Sequence, residues 1–131
     1  MRRFFAPFFV LLLAGAQAQA QELVAEYYTL LEPVDAFNSR GAPLDDFCAI
    51  VQQDRANWHR FGKAGPSDQA DWFFTTSDRR AMITGNCDYD RGYFANPGQR
   101  IRSGQRSFYV YVRAFGKGGV VSRVVIVEGA G

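Results

Sequence analysis

The chain has 131 residues, 15 of them Lys or Arg and 13 Asp or Glu, and 47% are hydrophobic. That is enough apolar material for one compact domain and too much for a disordered chain. The first 20 residues hold two Arg, no acid and four of the 12 Phe, so the remaining 111 carry 13 basic and 13 acidic groups. A neutral chain has no excess of cation to offer phosphates, which argues against nucleic acid as a partner.

Arg2 and Arg3 precede an apolar run from Phe4 to Ala14, and Ala16-Gln17-Ala18-Gln19-Ala20 follows it. Positive, apolar, then small-x-small is the order of a signal peptide, here 1–20, with cleavage after Ala20 and Ala18 as the alternative. The apolar run of about 11 residues is too short to span a bilayer, which needs about 20, so no stable membrane insertion is expected after cleavage. The mature protein, residues 21–131, is expected as a single domain, periplasmic or secreted. Cys48 and Cys87 are the only cysteines. In an exported chain such a pair reads as a structural disulfide. Closing a loop of about 40 residues contributes roughly 4 kcal/mol in the chain-entropy model.

Along the mature chain, residues 22–37 fit either period. Leu23, Tyr27, Leu30 and Leu31 suit a helix, whereas Tyr27-Tyr28-Thr29 is strand-like in composition. Asn38-Ser39-Arg40-Gly41-Ala42-Pro43 is turn chemistry, and Pro43 suits the start of a main helix running to about Phe61, closed by Gly62. At 100° per residue, Phe47, Ile50, Val51, Trp58 and Phe61 share a core stripe, with Cys48, Gln52, Arg55 and His59 on its flank. Asp54 falls within that stripe. A carboxylate there is expected to be buried and bonded, with an Arg from the basic half as partner, so Asp54→Ala should cost a few kcal/mol.

Residues 63–71 read as an exposed loop, Ser77 as the cap of a short helix over 78–84 closed by Gly85, and 86–104 as irregular chain. Ser107–Phe115 and Val120–Glu128 are β-rich runs joined by Gly116-Lys117-Gly118-Gly119, a hairpin signal. Phe108, Val110, Val112 and Ala114 form one face of it; Tyr109, Tyr111, Arg113 and Phe115 form the other. A loop with an odd number of residues puts Arg123 beside Arg113 and leaves Val120, Val124 and Ile126 in the core.

Residues 21–90 carry 6 basic and 12 acidic groups and residues 91–131 carry 7 basic and 1 acidic, so the halves are −6 and +6. The plain expectation is mutual neutralisation within one domain. The functional one is a basic, Tyr-rich surface centred on Tyr109, Tyr111, Arg113 and Arg123. Such a surface suits an anionic or glycan envelope component, since Arg forks grip carboxylate and phosphate while rings stack on sugars, or a protein.

His59 is the only histidine, so an acid–base mechanism must pass through it, with Asp54 or Asp88 brought near by folding. No G-x-S-x-G turn accompanies it. One His and two cysteines committed to a bridge cannot assemble a zinc site, and neither metal nor other cofactor is expected. Around Asn86-Cys87-Asp88-Tyr89-Asp90 the oxygen spacing suits calcium, but Arg91 and Pro97 occupy the turn-glycine and closing-glutamate positions. Asp45-Asp46 sits in a helix's first turn and offsets its dipole.

Asn38-Ser39-Arg40-Gly41, followed by Ile50-Val51-Gln52-Gln53-Asp54-Arg55-Ala56-Asn57-Trp58-His59-Arg60-Phe61-Gly62, resembles the central signature of a family of small exported bacterial proteins of unknown function. The likeness covers about 25 residues and implies no activity. Residues 27–40 also resemble the start of the cone-shaped α+β folds related to nuclear transport factor, a likeness of fold alone.

The sequence thus predicts an α+β domain: a small antiparallel sheet including a C-terminal hairpin, one main and one short helix on one face, and one disulfide. A non-enzymatic binding module acting through the Arg/Tyr hairpin face is the functional expectation, and a small hydrolase using His59 is the alternative.

Overall fold

In the computed structural model, residues 21–130 are described; the expected leader over 1–20 lies outside them. Residues 22–37 resolve in favour of the strand period. Strand β1 (Glu22–Leu31) buries Ala25, Tyr27, Thr29 and Leu31 at alternate positions, the β-branched and aromatic composition prevailing over helical spacing. A 3-10 turn, Pro33–Ala36, ends it.

Pro43 does not open the main helix. It pairs with Phe37 in an isolated β-bridge, and helix α1 (Phe47–Ala56) starts after Asp46, whose carboxylate accepts from the Ala49 amide at 3.1 Å. Asp46 is therefore the cap rather than a first-turn acid, satisfying an amide that a helix start leaves without a partner. The chain continues as a π-helical turn, Asn57–Phe61, closed by Gly62 at φ 61°. That wider turn shifts the phase of the expected stripe: Phe47, Ile50 and Val51 are buried, Trp58 is half-buried, and Phe61 is 36% exposed.

The short helix α2 (Ser77–Ala81) is capped by Thr76, not Ser77, through an acceptor bond from the Arg79 amide. The segment expected to be irregular holds two elements, strand β2 (Cys87–Asp88) and helix α3 (Pro97–Arg102). The hairpin follows as β3 (Phe108–Lys117) and β4 (Val120–Glu128).

These strands form one sheet in the order β1-β3-β4-β2. β1, β3 and β4 pair antiparallel, but β2 runs parallel to β4, so the sheet is mixed rather than wholly antiparallel. A two-residue turn with both glycines at positive φ, Gly118 at 61° and Gly119 at 79°, closes the hairpin. An even turn alone would bury Arg123. A bulge between Phe115 and Gly116 absorbs one residue of β4, so Arg123 lies opposite Phe115 on the tyrosine face. Val124 and Ile126 are buried as expected; Val120, at the turn, is exposed instead.

All three helices lie on the inner sheet face, where Phe47 packs in a ring cluster with Phe94 and Phe108. Cys48 and Cys87 are bonded, with Cα atoms 6.0 Å apart, and tie the start of α1 to β2. Arg102–Asp45 at 2.6 Å and Arg123–Asp88 at 2.7 Å join the basic and acidic halves. Among the described residues no helix is long and apolar enough to cross a membrane.

Candidate functional site

The outer sheet face carries the four hairpin residues singled out above. Alternation along β3 puts Tyr109, Tyr111, Arg113 and Phe115 there, and β4 adds Arg123. Sequence reasoning missed the contribution of β1. Register sets Tyr28 opposite Tyr111 and Glu26 opposite Arg113. Tyr28 stacks on Tyr111 at 4.6 Å and on Tyr109 at 5.6 Å, with ring planes within 19° of parallel. The Arg113 guanidinium lies 5.5 Å from the Tyr111 ring and 5.9 Å from that of Phe115. A Cβ on Gly129 would meet the rings of both Tyr109 and Tyr28, so the chain after β4 passes close to this stack. The face is therefore a ladder in which Tyr109, Tyr28 and Tyr111 stack and the Arg113 guanidinium follows between Tyr111 and Phe115.

The charges in the ladder are unequally matched. Arg123 is held by Asp88, and the Tyr111 hydroxyl donates to Glu26, the first cause of the raised Tyr111 pKa. Arg113 forms no ion pair among the described residues, and its buried Nε has no hydrogen-bond partner.

A second polar centre lies inside the molecule, where β1, α1 and the 65–74 segment meet. Arg55, expected on the helix flank, is fully buried. Its Nε donates to Asp54 Oδ2 at 2.8 Å, and its Nη1 donates to Asp71 Oδ2 at 3.1 Å and to the Gln69 carbonyl at 2.9 Å. Its guanidinium also lies 3.8 Å from the Tyr27 ring centre. Asp54 is buried, but its partner is its own chain neighbour and not an Arg of the basic half. A helix flank that meets the 65–74 segment is enclosed, and no local periodicity reveals that.

Asp68 and Asp71 correct the exposed-loop expectation, because both turn inward. Thr29 Oγ1 lies 2.6 Å from Asp54 Oδ1 and 2.9 Å from Asp68 Oδ1. One hydroxyl proton cannot serve two carboxylates at once, so Thr29 donates to Asp54 or to Asp68 at any moment. Burial raises the Asp54 carboxyl pKa, with Arg55 and Thr29 opposing. Asp71 goes the other way. Burial works to raise it, but the Phe74 amide, His59 and Arg55 together hold it below the ordinary carboxylate value.

His59 Nε2 sits 2.7 Å from Asp71 Oδ2. Its carboxylate partner is thus neither Asp54 nor Asp88; Asp54 belongs to the same network through Arg55, while Asp88 stands on the sheet edge with Arg123. Asp71 also accepts from the Phe73 and Phe74 amides, at 2.9 and 2.6 Å, which locks it in place. Among the described residues no Ser, Thr or Cys is bonded to His59, and no group of three His, Cys, Asp or Glu side chains suits a metal ion.

Compared with models of protein families, with curated proteins and with solved structures, the chain matches none.

Proposed function

We propose that the chain is an exported, non-catalytic module that binds an anionic polymer of the cell envelope on the outer sheet face. The observation that carries this is Arg113: a cation lying between the Tyr111 and Phe115 rings on the outer sheet face, with no ion pair among the described residues. Placing an unmatched guanidinium there costs solvation unless an anion returns the interaction. The ladder also selects among ligands. Because Tyr28 and Tyr111 spend their flat surfaces on neighbours, a sugar finds less to stack on, and an anion that takes hydrogen bonds from Arg113 fits better.

The test is retention of the oxidised mature protein on an immobilised polyanion, with polyphosphate as the probe, over a range of salt. Arg113→Gln with Arg123→Glu should abolish a salt-sensitive retention and leave the melting temperature within a few degrees, since Arg123 is exposed. Unaltered retention would sink the reading. A second reading, acid–base catalysis by His59, draws support from the 2.7 Å contact with Asp71. It requires His59→Gln to remove a hydrolytic activity that the parent shows.

A further inference from the structure

The Asn38–Gly41 turn and the π-helical turn, distant in sequence, meet at a pair of adjoining clefts of about 300 and 250 Å³ that share Asn38, Ser39, Gln53 and Phe61. The larger is lined on its apolar side by Val34 and Phe37, with Lys63 at its edge; the smaller reaches Arg60 and Arg80. Phe61, the last residue of the π-helical turn, lines both clefts. π-Turns are rare and concentrate at functional sites.

Arg80 is the feature with no structural account. It is 6% exposed, its side chain's one hydrogen bond among the described residues runs from Nη1 to the Phe74 carbonyl at 3.2 Å, and no carboxylate there pairs with it. Arg55, which is fully buried, shows what this fold does with a structural guanidinium: two carboxylates and a carbonyl surround it. Beside Arg80 stands a second arginine, Arg60, also without an ion pair. Burial and the Arg60 charge both push the Arg80 pKa down, with only Asp71 acting against them. Two unneutralised guanidinium groups on one concave wall is an unfavourable arrangement for an empty protein and a favourable one for a bound anion.

We propose that these joined clefts bind a small organic oxyanion, its charged group on Arg80 and Arg60 and its apolar part against Phe61 and Phe37. The Gln53 carboxamide, which donates to Asn57 at 3.0 Å, keeps its carbonyl oxygen for a donor on the ligand. This site is on the helical side of the sheet, so its fate and that of the outer face are decided separately.

The experiment is thermal shift and calorimetry on the oxidised mature protein with four probes: inorganic phosphate, phenyl phosphate, 3-phenylpropionate and the neutral 3-phenylpropanol. Phenyl phosphate should raise the melting temperature and bind about tenfold more tightly than inorganic phosphate. Binding by 3-phenylpropionate in place of phenyl phosphate would identify the anion as a carboxylate and keep the proposal. Arg80→Met should melt no lower than the parent, since it removes an unmatched buried charge, and should lose the shift. Arg60→Gln, at an exposed position, should weaken binding several-fold and provides the same test if Arg80→Met fails to fold. No shift with any anionic probe, an equal shift with the neutral one, or unaltered affinity in Arg60→Gln overturns the proposal.

Discussion

Arg55 carries more of the interior than any other side chain, because it is the buried cation among Asp54, Asp71 and, through Thr29, Asp68. Its charge and theirs are not interchangeable in cost. Removing the guanidinium leaves several carboxylates facing one another with water excluded, whereas neutralising Asp54 leaves Arg55 with Asp71 and the Gln69 carbonyl. Arg55→Met is therefore expected to lower the unfolding free energy by about 3–5 kcal/mol. Asp54→Asn should cost about 1–2 kcal/mol, as an amide oxygen still accepts from Arg55 and Asp71 remains on the guanidinium. Urea denaturation of the two variants measures the order. Equal losses, or a larger one for Asp54→Asn, would mean that Asp54 and not Arg55 is the centre of the network. The residue pattern announced Asp54, since a charge in an apolar stripe is visible in one dimension. It could not announce Arg55 or Asp71, whose burial depends on where the 65–74 segment closes over β1.

At the scale of elements, α3 illustrates a piece of structure set by close approach. It has six residues, it starts at Asn96 in the left-handed region with φ 48°, and Pro97, Gly98 and Ile101 are buried. A Cβ on Gly98 would stand 2.1 Å from the Leu44 carbonyl oxygen and 2.8 Å from Asp45 Cα, both backbone atoms that cannot swing aside. Gly98→Ala should therefore push α3 off the 44–45 segment, break the Arg102–Asp45 pair and cost about 2 kcal/mol in urea denaturation. An unchanged midpoint would show that α3 is held by Ile101 alone. Such a helix has too little periodicity to read from sequence, which is why 86–104 looked irregular. The hairpin was legible because its glycines and its alternation agree, and the tyrosine face with it. Tyr28 was not, since its place in the ladder depends on the register of a strand 80 residues away. The π-turn was invisible for a different reason: projecting side chains at 100° per residue assumes the helix it is meant to discover.

For the whole molecule, the buried carboxyls set how stability varies with pH. Burial, with the nearby Asp54 charge, raises the Asp35 carboxyl to about 7, against the bonds from Glu32 and Asn57. A raised carboxyl binds its proton more tightly in the folded chain than in the unfolded one. Its contribution is therefore complete below the unfolded value near 4 and is lost as pH rises through about 7. Asp54 has the same sign. Asp71, lowered, contributes above its unfolded value and loses that contribution as pH falls through its folded one. The two tendencies meet at the unfolded carboxyl value, so the protein should be most stable near pH 4 and weaken by a few kcal/mol toward pH 8. With 13 basic and 13 acidic groups in residues 21–131, overall charge repulsion adds little to that slope. Asp35→Asn should flatten the fall between pH 4 and 7 in part, leaving the share due to Asp54. Melting temperatures across pH 4–8 for parent and variant decide the matter: a parent more stable at pH 8 than at pH 5, or a slope unchanged by Asp35→Asn, would mean that Asp35 is ionised in the folded chain.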